Sequence, residues 1–167
     1  MSVEIWLTYV VAAIVFSFAP GSGTVNSISN GMVYGWRKSL ASIVGLQLGM
    51  AVHIVLVGIG LGALVAQSAV AFSLIKWIGA AYLVWLGIQK WREHNALSLE
   101  NVDKSVTAGC LFQRAVLVNL TNPKTIVFLV ALFPQFINAT QPQLPQLLIL
   151  GITTLATFSM WFYVKYK

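Results

Sequence analysis

Asn119-Leu120-Thr121-Asn122-Pro123-Lys124 decides how this chain folds. An apolar run begins near Ala115, is interrupted by these residues, and resumes from 125 to 133. Pro123 has no N–H, and its ring clashes with the carbonyl four residues back. A helix entering the stretch therefore leaves the Asn119 carbonyl without its helical partner. A second interruption, Pro20-Gly21-Ser22-Gly23, closes an apolar run over 5–19, which is short of the roughly 20 residues that a bilayer crossing needs. Pro20 and Pro123 are 103 residues apart, three apolar spans from one to the other. An odd number of spans carries the second break into the bilayer from the opposite side, the pattern of an inverted repeat with discontinuous helices. Backbone freed by such breaks is tolerated only where it is buried in protein or lines a cavity. That favours a transporter's binding site; the competing reading is two ordinary proline kinks.

The rest of the composition belongs to the same frame. Of 167 residues, 58% are hydrophobic and 8% charged, against about 25% charged in a soluble domain; mean hydropathy is +0.82. The charges leave gaps of 32 residues between Glu4 and Arg37, 37 between Lys38 and Lys76, and 40 between Lys124 and Lys165. The chain is therefore expected to be all-α: a polytopic transmembrane helix bundle of five spans within a lipid bilayer. A net charge of +6 does not make it a nucleic-acid binder, because the basic residues sit in short loops between spans. The N-terminus, with Glu4 and no basic segment, does not read as a cleavable signal.

The spans are expected at 5–19 with a helical continuation over 24–36, then at 40–64, 73–88, 115–133 with its break, and 146–164. A polar cytoplasmic loop occupies 89–114, and an uncharged loop 134–145. The whole of 1–167 forms one transporter domain, with a first half-repeat over 1–88 and an incomplete second half over 115–167. Eight of the ten Lys and Arg residues fall in one set of alternate loops. The positive-inside rule then puts the N-terminus outside and the C-terminus in the cytoplasm.

Several residues are candidates for chemistry. The amides freed at Pro20, Gly21 and Ser22 suit a carboxylate at a half-helix N-terminus; the alternative is a plain turn. Asn119, Asn122, Pro123 and Lys124 combine amide side chains, freed carbonyls and a cation, so they suit both ends of a zwitterion. The alternative is that Lys124 snorkels to the interface. His53 shares a helix face with Gly45 and Gly49 in a charge-free stretch and is a proton-carrier candidate, or simply a histidine bonded to a neighbouring helix. The pairs Gly45/Gly49 and Gly58/Gly62 allow close helix contact, which also admits a homo-oligomer through this Gly-rich span. Cys110 and His94 read as loop residues. The four acids lie at ends or in the loop, so no metal site, cofactor or intramembrane enzyme is expected.

Longer stretches carry a family likeness: SFAPGSG at 17–23, ASIVGLQLG at 41–49, HIVLVG at 53–58, KWIGAAYLVWLGIQ at 76–89, FQRAVLVNLTNPK at 112–124 and FPQF at 133–136. They resemble the LysE-type amino-acid exporters, in the homoserine/threonine resistance branch, over roughly 1–154. The resemblance implies six spans in two inverted halves and proton-driven export of homoserine, its lactone or threonine-like amino acids across a bacterial inner membrane. The family's first broken-helix motif falls on Pro20-Gly21, with Ser22 where a further proline is usual. Its second falls on Asn122-Pro123-Lys124. After Thr154 the likeness fades: Phe158 stands near the family's fifth-span acid, and the sixth span is missing. The chain thus reads as a truncated, 3+2 member with weak proton-driven efflux, any residue of which depends on His53. The alternatives are a non-transporting membrane subunit or an inactive fragment.

Overall fold

The computed structural model describes residues 1–18, 21–92 and 106–166, and all regular structure among them is helical. The helices are α1 (Val3–Phe18), α2 (Ser22–Gln67), α3 (Ala69–Arg92), α4 (Ala108–Leu120), α5 (Pro123–Phe136) and α6 (Gln143–Tyr166). Pro20 lies outside the described residues, as do His94 and the acids of the 93–105 segment.

α2 is not one rod. Gly35 takes φ 76° and ψ 166°, a conformation open essentially to glycine alone, and the helix doubles back there. Asn30 Nδ2 donates to Ser42 Oγ at 2.9 Å, and Ser42 Oγ donates to Asn26 Oδ1 at 2.8 Å. Twelve residues of straight helix would separate such groups by about 18 Å, so arms 22–34 and 36–67 form an antiparallel hairpin.

Direction follows from which residues meet. Tyr9 hydrogen-bonds Thr154, Trp6 Nε1 donates to Thr153 Oγ1 at 3.0 Å, and Phe18 packs on Trp161; α1 and α6 therefore run parallel. Lys38 Nζ donates to the Val106 carbonyl at 3.2 Å, and Asn119 Nδ2 to the Leu46 carbonyl at 2.5 Å; arm 36–67 and α4 are also parallel. Gly58 faces Leu147 while Gly151 faces Ile54, so α6 opposes arm 36–67. The α4–α5 broken helix thus runs against α1, the inverted entry that a step of three spans requires.

Polarity is distributed for lipid rather than water. Val11, Val15, Val55, Ile59, Ile152 and Met160 point outward, while Ser27, Ser42, Asn119, Asn122, Thr125, Gln146 and Thr154 are buried. Buried polar groups surrounded by an apolar exterior invert the soluble pattern and satisfy what a bilayer demands. α2 and α6 are each long and apolar enough to cross a membrane, and the α4–α5 pair, bent by 52°, makes a third candidate.

Some boundaries differ from expectation. α4 begins at Ala108 rather than near Ala115, because Thr107 caps it, its Oγ1 accepting from the Cys110 N–H at 3.3 Å. α3 continues to Arg92. The polar segment at 89–114 is therefore part helix, and Cys110 belongs to the first turn of α4, not to a loop. α5 runs through Pro134 to Phe136: Phe133 and Pro134 are packed into the core beside Tyr9, and that burial outweighs the hydrogen bond the proline removes. Pro145 falls in the first turn of α6, where no helical N–H is needed.

Candidate functional site

The two breaks face each other. A Cβ built on Gly21 would lie 3.0 Å from Lys124 Cδ. Only a residue without a side chain admits the lysine so close to the start of α2. Lys124 reaches α1: its Nζ donates to the Phe16 carbonyl at 3.4 Å and sits 4.4 Å from the centroid of the Phe16 ring, a cation–π distance. Phe16 in turn stacks on Phe128 at 3.8 Å, with Phe158 edge-on to Phe128. α1, α5 and α6 together supply this aromatic wall.

Between the breaks lies a cavity of about 30 Å³, lined on one side by Gly21, Gly23 and Thr24 and on the other by Asn119, Asn122 and Lys124. That volume holds roughly a water or two. Phe16, Leu46, Gln47, Met50, Thr125 and Phe158 complete the wall, so Lys124 is the one charged side chain among the lining residues.

The second break is tightly capped. Asn122 Oδ1 accepts from the Lys124 N–H at 3.1 Å, the usual N-cap bond, and Pro123 occupies the first turn, where its missing N–H costs nothing. The Asn119 carbonyl, expected to be free, accepts from the Asn122 N–H at 3.0 Å; a tight turn replaces the bond that Pro123 denies. What is unpaired at Asn119 is its side-chain Oδ1, buried and without a partner.

Gly21, Asn119, Asn122 and Lys124 are thus brought together. Ser22 and Pro123 are exposed and do not line the cavity. His53 lies on the expected face with Gly45 and Gly49, all three buried. It is not in the cavity wall. Its ring lies against the backbone of Leu120, the last residue before the break. It also borders a separate apolar recess lined by Leu56, Ile75, Ile126 and Val130. A Cβ on Gly49 would meet Asn119 Cβ at 2.8 Å and the Val116 carbonyl at 3.1 Å, and Gly45 packs as closely on Phe112 and Ala115. These two glycines are filled from within the chain by α4.

Gln47, Thr24, Phe16 and Phe158 line the cavity without having been singled out as site residues. Gln47 carried a usable signal: an uncharged amide within a 37-residue stretch free of charge, expensive in a membrane unless it faces the interior.

A family profile described as LysE type translocator matches residues 14–165. The chain belongs to the LysE-type translocators. The match carries past Thr154, where the motif resemblance fades. Among relatives, this translocator is 66% identical to an uncharacterized membrane protein of Vibrio cholerae, over 92% of this chain and 75% of the relative. It is 53% identical to the homoserine/homoserine lactone efflux protein of Salmonella typhimurium, over 93% and 75%. With the leucine efflux protein of an Enterobacter species it shares 30% identity over 93% and 74%. No solved structure matches this chain.

Proposed function

We propose that this membrane protein exports small amino acids of the homoserine and threonine type across the bacterial inner membrane, binding them between the two broken helices. The carrying observation is the approach of Lys124 to Gly21 across one cavity. The substrate carboxylate would meet Lys124 and the amides that begin α2, where helix geometry leaves N–H groups unpaired and the dipole favours an anion. The ammonium would meet Asn119 Oδ1, which has no partner of its own. At about 30 Å³ the cavity is too small for an amino acid, so this conformation is a contracted one and transport requires α1 and α5 to part.

The five-span reading counts α1 with arm 22–34, arm 36–67, α3, α4–α5 and α6, with the N-terminus outside and the C-terminus cytoplasmic. His53 is the proton-coupling group in this reading: its ring lies against the backbone of Leu120 at the end of α4, so a change of charge on His53 acts on the break rather than on the substrate. The membrane-transport reading leaves no part for an enzymatic step.

The test is homoserine efflux from loaded proteoliposomes under an imposed pH gradient. Lys124→Met is expected to lose tenfold or more of the rate, about 1.4 kcal/mol of transition-state binding, while His53→Ala retains downhill exchange and loses the response to the gradient. Undiminished efflux in Lys124→Met would remove the site from the cavity.

A further inference from the structure

Gln47 is the cavity residue that neither the breaks nor the packing accounts for. It follows Leu46, whose carbonyl is taken by Asn119, on arm 36–67. Its Oε1 and Nε2 are both buried, and neither has a hydrogen-bond partner. A primary amide brings two donors and an acceptor, and leaving all of them unmade away from water is costly. Methionine or leucine would fill the same space at no such cost. The fold alone gives no reason for an amide here.

The unpartnered atoms of the wall differ in what they take. Asn119 Oδ1 only accepts, which suits an ammonium hydrogen. Gln47 both donates and accepts, which suits a group that does the same, and a hydroxyl is the smallest such group. Homoserine and threonine carry a side-chain hydroxyl; leucine and norvaline do not.

We infer that Gln47, its amide buried unpaired in the cavity wall, hydrogen-bonds the substrate's side-chain hydroxyl and makes this site prefer hydroxylated amino acids over apolar ones of the same size. This rests on the exporter reading above and adds a specificity-determining residue to it. A site built to bond a hydroxyl rejects the analogue lacking it, because the site's own buried groups are then left unpaired.

Homoserine and norvaline are the decisive pair, since they differ by a hydroxyl in place of a methyl. Transport of each is measured in proteoliposomes of the parent chain, Gln47→Met and Gln47→Leu, with the melting temperature of each protein in detergent. The parent is expected to favour homoserine by roughly tenfold or more. Both variants bring the ratio toward one, with norvaline transport kept or raised and the melting temperature unchanged or higher. Equal handling of the two substrates by the parent overturns the inference whatever the variants do. So does a variant that melts lower and loses both substrates in proportion, which is what a purely structural glutamine predicts. A parent that moves homoserine with an unchanged ratio in Gln47→Met sinks the role of Gln47 alone; a parent that moves neither substrate sinks the exporter reading with it.

Discussion

The two helix breaks do the same job with opposite chemistry. The break between Phe18 and Ser22 contributes backbone: Gly21 and Gly23 present no side chains, and the cavity reaches the start of α2 because of it. The break between Leu120 and Pro123 contributes side chains, with Asn119, Asn122 and Lys124 all turned to the same cavity. It holds its own shape through the Asn122 cap and the Asn122-to-Asn119 turn. One break supplies space and amide donors; the other supplies functional groups and rigidity. The site exists only where the two meet, so damage to either should look different.

The comparison is broken most severely by separating the second break from the helix it leans on. Gly49→Val places a branched side chain against Asn119 Cβ and the Val116 carbonyl, and backbone cannot step aside as a flexible side chain can. Overpacking of this kind costs about 1–3 kcal/mol. The expected result is a marked drop in melting temperature and in monodisperse yield from detergent. A variant as stable as the parent would mean that the α2–α4 contact is not as close as described.

A milder change sharpens the difference between the breaks. Asn122→Ala removes the cap on α5 and should lower stability by about 1 kcal/mol, read as a melting shift, with homoserine efflux falling in parallel. Gly21→Ala is expected to do the reverse. The new methyl meets the Lys124 chain at 3.0 Å, and that chain can move. Stability should stay within about 0.5 kcal/mol of the parent while efflux drops severalfold because Lys124 is displaced. Equal stability losses at Asn122 and Gly21 would erase the division of labour between rigid and open breaks.

Much of the fold was legible because two rules act locally. Charge-free runs set the helices, and Pro with Gly or Asn sets the breaks. The errors fell where local rules compete with packing. Pro134 reads as a stop, yet α5 continues to Phe136 because Phe133 and Pro134 are held in the core. The Thr107 cap on α4 was hidden by the polar residues around it. The Asn119 carbonyl was rightly seen to lose its helical partner, but the tight turn that closes it depends on the dihedrals of Leu120 and Thr121.

The sequence by itself determined an all-helical membrane protein with two interruptions and basic loops. Those properties follow from residue-by-residue transfer into lipid and from proline's missing donor, which need no knowledge of neighbours. Only the tertiary structure decided that Lys124 turns onto Phe16, that Ser22 and Pro123 lie outside the cavity while Gln47 lies in its wall, and that His53 lies against Leu120 instead of in the cavity wall. Each depends on which helix face meets which, and Gly45 and Gly49 set that by letting α4 come close enough for Asn119 to reach the Leu46 carbonyl.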